Sequence, residues 1–194
     1  MTEALTDSRD RIRETALRLF AERGVDSVSI AEICRDAGLA NGTFYNFYRN
    51  KSELVAGFLQ ETYETLARLL REVEGRSNDA REEHRRDVEI IVNFTAENSE
   101  MIRVALRDHG ARRMVEHDIS ELFVKQRAAG LRRGLERSTY RPGVNAELVA
   151  RAEHGLMSDI ISWWLDNRDR MAREDLIDEL VAIRLRITNG KVED

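Results

Sequence analysis

The stretch Ser29–Leu54, SIAEICRDAGLANGTFYNFYRNKSEL, decides the fold because it places two short helices and a turn before a longer helix. Ser29 and Glu32 form a capping box, in which each side chain satisfies a backbone donor at a helix start. Gly38 ends that helix after about nine residues, and a second short helix begins near Asn41. Two short helices joined in this way predict a helix-turn-helix.

The charge around this motif differs from the charge of the whole chain. The 194 residues carry a formal net charge of −5, which alone points away from nucleic acid. The segment Ala37–Ser52, however, contains no acidic residue, and it includes Arg49, Lys51, two tyrosines and two phenylalanines. The local composition therefore favours a nucleic-acid partner.

The second short helix carries the residues that would meet DNA. In a helix-turn-helix, the N-terminal half of this helix enters the major groove, which requires small residues near its start. Ala40, Asn41 and Gly42 meet that requirement, although helix capping is an alternative explanation for Asn41. Groups suited to phosphate oxygens are predicted at Thr43, Tyr45 and Lys51.

The rest of the chain is also helical in pattern, so the predicted class is all-α. One proline and 11 glycines argue against a β-sandwich, and the single cysteine, Cys34, excludes an internal disulfide. The predicted helices cover about residues 8–24, 30–37, 41–48, 50–74, 82–97, 99–110, 111–138, 145–167 and 172–188. The polar segment Gly75–Ala80 predicts a domain boundary. The predicted DNA-binding domain covers 1–54, a connecting helix covers about 51–74, and the second domain covers 75–194.

Four stretches of this sequence together resemble the N-terminal domain of the TetR family of bacterial transcriptional regulators. They are Ala16–Gly24 (ALRLFAERG), Ser29, Ala37–Tyr48 (AGLANGTFYNFY) and Asn50–Leu54 (NKSEL). The resemblance implies a nine-helix, ligand-responsive regulator, usually a repressor, that binds a palindromic operator as a homodimer. It also adds Ser29, Phe44 and Asn50 to the DNA-binding residues.

The chain departs from the family pattern at four positions. Ser29 replaces the usual Thr and keeps a hydroxyl, and Cys34 replaces a small alanine and is expected to be a buried thiol. Phe47 stands where the family often has a phosphate-contacting His or Tyr. Tyr48 replaces a core Phe and is expected to pack inside the protein.

In the second domain, the resemblance implies a pocket for a small-molecule inducer of unknown identity. The candidate lining residues are Phe94, Met101, Val104, Phe123, Arg127, Met157, Ile161 and Trp164. Apolar side chains at helical spacing are also compatible with a simple core. A homodimer interface is predicted on the last two helices, from Gly155, Ser158 and Ser162 and from the stripe Leu176, Leu180, Ile183 and Ile187. The stripe alone is also compatible with an intramolecular core, but two adjacent helices with this much apolar surface favour a two-fold dimer.

Other classes of function have little support. The four histidines lack metal-ligand spacing, no serine lies in a nucleophile elbow, and no glycine-rich phosphate loop is present, so we expect no metal, no cofactor and no enzyme. No stretch approaches a membrane span and no signal peptide is visible, so we expect a cytoplasmic protein without a membrane partner. The remaining alternative is a helical protein-interaction adaptor that has this fold but does not read an operator.

Overall fold

A computed structural model of the chain describes the backbone of residues 2–107 and 109–189 and the side chains of residues 7–103 and 119–189. Over these residues the chain forms nine α-helices and no strand, which confirms the predicted fold class. The helices are α1 (Thr2–Arg23), α2 (Ile30–Asp36), α3 (Asn41–Tyr45), α4 (Lys51–Val73), α5 (Ala80–Glu97), α6 (Ser99–Arg107), α7 (His109–Glu136), α8 (Ala146–Asp166) and α9 (Arg173–Asn189).

Two of the predicted helix caps are confirmed. The Glu32 backbone N–H donates to Ser29 Oγ at 3.2 Å, and the Ser29 N–H donates to the Glu32 carboxylate at 2.8 Å, which completes the capping box of α2. The Leu148 N–H donates to the Asn145 side chain at 3.1 Å and starts α8. These local hydrogen bonds explain why the two helix starts are readable from sequence.

Two helix boundaries differ from the prediction. Helix α1 begins at Thr2, well before the predicted start. Helix α3 ends at Tyr45 rather than Tyr48, because the chain turns after Asn46 and buries the Tyr48 ring. Tertiary packing of that ring therefore sets the length of α3.

The chain divides into two compact units. The first contains Met1–Thr62 and Asn98–His117, and the second contains Tyr63–Glu97 and Asp118–Asp194. This division differs from the predicted boundary near Gly75, because α4 contributes to both units and α6 belongs to the first. Among the described helices, none is sufficiently long and apolar to span a membrane.

Each unit has its own apolar core. In the first unit, α1 to α4 bury large side chains that include Ile12, Phe20, Ile33, Phe44 and Leu54. In the second, one cluster joins α5, α8 and α9 through Val88, Val92, Met157, Ile161, Trp164, Leu165, Leu176, Ile177, Leu180 and Val181. Complete burial of one large aliphatic or aromatic side chain contributes about 1.5–3 kcal/mol, so these cores hold the helices in place.

Candidate functional site

Phe44 fixes the orientation of the short helix α3. Its side chain is 0% exposed, and its ring lies 5.5 Å from the Tyr48 ring and 5.6 Å from the Tyr45 ring, centroid to centroid. Phe44 is therefore a core residue, and the prediction that it contacts DNA is wrong. Burial of Tyr48, where the sequence predicts packing, is confirmed.

The turn between α2 and α3 is stabilised from α1. Gly38 has φ +67°, a conformation that L-residues with a Cβ rarely adopt, and the Leu39 N–H donates to the Cys34 carbonyl at 2.8 Å. The Arg11 guanidinium donates to the carbonyl oxygens of Ala37 and Gly38 at the end of α2. Sequence reasoning missed Arg11 because this contact joins residues that are distant along the chain.

The start of α3 presents small and polar groups to solvent. Ala40 is the N-cap and makes no side-chain hydrogen bond, so Asn41 is the first helical residue and the capping explanation for it is wrong. The exposed amide of Asn41 makes no hydrogen bond with a described side chain, and a Cβ built on Gly42 would meet no atom within 4 Å. Tyr45 is 58% exposed. Neither the capping nor the packing of this unit requires these three residues.

Two other predicted contact residues cap helices. The Ser29 hydroxyl participates in the capping box, and the backbone N–H of Ser29 is the main reason that the pKa of Glu32 falls to about 2. The Asn50 Oδ1 accepts a hydrogen bond from the Glu53 N–H at 2.9 Å, which caps α4. Both residues are exposed, so contact with a second molecule remains a prediction for each.

The two basic residues beside α3 have different surroundings. Lys51 Nζ donates to the carbonyl oxygens of Val25 and Val28 at 2.6 and 2.7 Å, so it supports the loop between α1 and α2. Arg49 has a side chain that is 90% exposed, with Nε 3.6 Å from the Glu53 carboxylate. From the sequence, Arg49 is a basic residue with no predicted contact. Its exposure makes it the more available cation.

Cys34 is a buried thiol, as predicted from its position in α2. It is 1% exposed, and burial raises its pKa, so the neutral thiol is favoured. Its Sγ lies 3.8 Å from the Asn41 carbonyl oxygen. The thiol therefore packs where α2 meets the start of α3.

Comparison with known proteins agrees with this geometry. Residues 12–57 match the family described as bacterial regulatory proteins, tetR family. The helix-turn-helix of this chain is that of the TetR family. Among curated relatives, the uncharacterized HTH-type transcriptional regulator YuxN of Bacillus subtilis is 29% identical over 98 residues, which cover 50% of this chain and 33% of YuxN. The HTH-type transcriptional regulator SAB2452 of Staphylococcus aureus is 24% identical over 102 residues, which cover 53% of this chain and 55% of that protein.

Solved structures share the fold of this chain over most of its length. The fatty acid degradation regulator FadR from Bacillus halodurans has a TM-score of 0.77 at 18% identity and covers 91% of this chain and 94% of its own. NalD, the secondary repressor of the MexAB-OprM efflux pump in Pseudomonas aeruginosa, has a TM-score of 0.72 at 19% identity. The match covers 98% of this chain and 100% of NalD. FadR from Bacillus subtilis, in complex with stearoyl-CoA, has a TM-score of 0.74 at 18% identity, with 94% and 98% covered.

The predicted pocket residues are divided between the units. Met101 lies in the first unit, where its Sδ accepts a hydrogen bond from Thr62 at 3.8 Å, and the side chain of Val104 is outside the described residues. In the second unit, Met157, Ile161 and Trp164 pack into the cluster of α5, α8 and α9. Trp164 Nε1 also donates to the Met171 carbonyl at 2.9 Å. These three are core residues here, and their predicted ligand contact stays a prediction.

Phe123 and Phe94 are half-buried. The Phe123 ring forms an edge contact with Tyr63 at 5.7 Å and stacks on His154 at 6.2 Å. Burial lowers the pKa of His154, so its neutral imidazole is favoured. The aromatic contacts thus join α4, α7 and α8 within the second unit.

Arg127 is an internal ion-pair residue rather than a free cation. Its Nε lies 2.6 Å from Glu153 Oε2, and its Nη1 lies 3.7 Å from Asp87 Oδ2. Arg184 lies 3.1 Å from Glu153 and 3.5 Å from Asp87, so two arginines and two carboxylates from α5, α7, α8 and α9 form one buried charge cluster. The predicted ligand contact of Arg127 therefore stays a prediction, and its charge is already paired within the chain.

The charge cluster shifts the titration of its members. Burial opposes ionisation of Glu153, but Arg184 and Arg127 outweigh it and lower the pKa of Glu153 to about 2. Burial, with the same two arginines, lowers the pKa of His84 to about 2, and His84 Nε2 lies 2.9 Å from the Thr188 hydroxyl. The cluster therefore holds a charged Glu153 beside a neutral histidine.

The predicted interface residues fall into two groups. Gly155, Ser158 and Ser162 are exposed on α8, while Ile183 and Ile187 are half-buried on α9. Leu176 and Leu180 are buried in the core of α5, α8 and α9, so their predicted contact with a second subunit is wrong. Their side of the α9 stripe faces inward.

Proposed function

We propose that this chain is a TetR-family transcriptional repressor that binds a palindromic operator as a homodimer and is released by a small-molecule inducer. The observation that carries the proposal is the start of α3, where Asn41, Gly42 and Tyr45 are exposed. Phe44 anchors the same helix from inside. A surface of unpaired polar groups on a rigid helix is what base reading requires.

Each exposed group of α3 has a role suited to DNA. The Asn41 amide can make two hydrogen bonds with adenine in the major groove. Gly42 leaves space for the backbone to approach the bases, and its open surroundings mean that packing within the chain does not require a glycine there. The Tyr45 hydroxyl and the Arg49 guanidinium suit phosphate oxygens, which set the position of the helix on the duplex.

The exposed face of α8 supports the homodimer. Of the large hydrophobic residues in the described part of the chain, Leu148 (64% exposed) and Trp163 (44% exposed) are among the exposed ones, and both lie on this helix. Leu148, Gly155 and Ser162 are each seven residues apart and so share one face. A homodimer would present two α3 helices to two half-sites, which lie about 34–36 Å or a multiple of that apart.

Two structural neighbours support a repressor that responds to a small molecule. The FadR structure from Bacillus subtilis contains stearoyl-CoA, and NalD is a repressor. In this chain the half-buried rings of Phe123, Tyr63 and His154 offer a surface for an apolar ligand within the second unit. Ligand and operator would then disfavour each other, with a coupling of about 1–3 kcal/mol.

The protein-interaction adaptor predicts a different recognition surface. Acidic side chains in the recognition segment would repel a polyanionic duplex, whereas an adaptor has no general need to exclude them. The absence of acidic residues over Ala37–Ser52 therefore favours DNA.

The test is a selection from random double-stranded DNA, followed by fluorescence anisotropy on the selected sequence. We expect an enriched palindrome bound by a dimer, with affinity that falls as salt rises. No enrichment over unselected DNA at low salt would reject operator binding and favour the adaptor.

A further inference from the structure

A surface pocket lies where α7 ends and the chain turns toward α8. Its volume is about 390 Å³, within the range of about 300–1,000 Å³ that small-molecule sites occupy. The walls come from the end of α7, the turn that follows it and the last residue of α9: Leu135, Ser138, Thr139, Tyr140, Arg141, Pro142 and Asn189. This pocket is separate from the aromatic contacts of Phe123.

Hydrogen bonds to α9 fix the shape of this pocket. The Arg141 N–H donates to the Thr188 carbonyl at 3.2 Å, and the Asn189 side-chain amide donates to the Thr139 carbonyl at 3.1 Å. Behind the turn, the Tyr140 ring stacks on His84 at 5.3 Å. A pocket that is formed before binding loses little ordering entropy when a ligand enters.

Two of the residues that line the pocket carry a buried polar atom without a hydrogen-bond partner. The Thr139 hydroxyl belongs to a residue that is more than nine-tenths buried, and it has no hydrogen-bond partner. Arg141 Nε is also buried without a partner, and its guanidinium makes no ion pair with a described residue. Buried polar groups are normally hydrogen-bonded, so these donors call for an acceptor.

Arg141 makes no ion pair with a described residue, unlike three other arginines of the second unit. Arg127 and Arg184 share Asp87 and Glu153, and Arg137 lies 3.7 Å from Glu83. None of the described residues that line the pocket carries a carboxylate, so Arg141 contributes a positive charge that these residues do not compensate. Leu135 and Pro142 add an apolar wall beside it.

We propose that this pocket binds an organic carboxylate, with its negative group on Arg141 and Thr139 and its apolar portion against Leu135 and Pro142. Arginine recognises a carboxylate through two parallel N–H donors, which a neutral ligand cannot use as well. The site is additional to the inducer region of the proposed function.

The experiment titrates the full chain with benzoate and with its neutral analogue benzamide, followed by calorimetry and by saturation-transfer NMR. We expect benzoate to bind at least about tenfold more tightly than benzamide, because a hydrogen bond between charged groups is stronger than a neutral one. Arg141→Gln should abolish that preference, and Arg141→Lys should restore part of it. The control Arg173→Gln, at the opposite end of α9, should leave it unchanged. Thermal unfolding of each variant checks that it is folded.

Three results would overturn the proposal. One is equal binding of benzoate and benzamide, and another is benzoate binding that Arg141→Gln does not weaken. The third concerns the carboxylates of Glu193 and Asp194 in the same chain. If benzoate binds only after removal of residues 190–194, the pocket serves the chain's own acidic end rather than a free acid.

Discussion

Lys51 Nζ donates a hydrogen bond of 2.7 Å to the carbonyl oxygen of Val28, which lies 23 residues earlier in the sequence. A second bond of 2.6 Å reaches the Val25 carbonyl, so one ammonium group ties the start of α4 to the loop that precedes α2. Residue 51 therefore contributes to the position of the helix-turn-helix.

The first prediction compares how much two neighbouring cations contribute to the free energy of unfolding. Lys51→Met removes the donor from two carbonyl oxygens and should lower the free energy of unfolding by about 1–3 kcal/mol. Arg49→Met, the matched control, should leave it within about 0.5 kcal/mol of the wild type. Urea unfolding measures both. If Lys51→Met is as stable as the wild type, the loop does not depend on this lysine.

The second prediction compares two glycines of the motif. Gly38→Ala should lower the free energy of unfolding by about 1 kcal/mol or more, because φ is +67° and the new Cβ would displace the Arg11 guanidinium from the carbonyl oxygens at the end of α2. Gly42→Ala should preserve or raise stability, since glycine in a helix is less favourable than alanine by roughly 0.5–1 kcal/mol and the space is open.

The same pair should behave differently toward DNA. Gly42→Ala should weaken binding of the selected sequence by more than its stability change explains, because the methyl group would lie between the backbone and the bases. Denaturation curves and anisotropy titrations of each variant check this. Stability loss in Gly42→Ala would contradict the open surroundings of that residue.

The helix-turn-helix was predictable because its signals are local. The Ser29–Glu32 capping box and the Gly38 stop depend on residues three or four positions apart, so the sequence shows them directly. The partners of Lys51 and Arg11 were not predictable, because their hydrogen bonds join residues more than 20 positions apart. The sequence also did not show that Phe44 is a core residue, because the motif places it beside predicted contact residues.

The third prediction concerns the buried charge cluster. Glu153→Gln should lower the free energy of unfolding at pH 7 by about 3–5 kcal/mol, because it leaves Arg127 and Arg184 with less negative charge in the core. The surface control Arg151→Gln, which pairs with Glu121 and Glu147, should cost less than about 1 kcal/mol.

The pH dependence has a definite sign. The folded pKa of Glu153 is about 2, below the ordinary value of 4.5, so its contribution is complete above about pH 4.5 and is lost as the pH falls toward 2. The wild type should lose stability across that window more steeply than Glu153→Gln. If the free energy of unfolding falls equally steeply with pH in the two proteins, Glu153 is not held ionised.

The second unit was harder to predict, because helical periodicity does not show whether an apolar face packs inside the chain or contacts a second subunit. Leu176 and Leu180 lie at spacings that suit either a subunit interface or a core, and only packing against α5 and α8 decides between them. Arg127 shows the same limit, since its ion pairs join α7 to Glu153 of α8 and to Asp87 of α5 and leave no local signal.

The fourth prediction tests the dimer. Ser162→Arg places a long cation on the exposed face of α8, and two-fold symmetry would introduce it twice, so we expect a monomer or aggregate. Ser162→Ala is the matched control at the same site, and Asp169→Arg tests an added charge in the exposed turn before α9. Light scattering after size exclusion gives the mass. A stable dimer of Ser162→Arg would place the interface elsewhere.

The central claim, that α3 reads base sequence, is tested most directly by Asn41→Ala. Asn41 and Asn46 are both exposed, but Asn46 lies at the C-terminal end of α3, away from its leading edge. The measurement is the ratio of affinities for the selected DNA and for unrelated DNA, by anisotropy at fixed salt. We predict that Asn41→Ala lowers this ratio by about 5- to 150-fold, the equivalent of about 1–3 kcal/mol, while Asn46→Ala leaves it near the wild-type value. An unchanged ratio in Asn41→Ala, or an equal fall in both variants, would contradict the account.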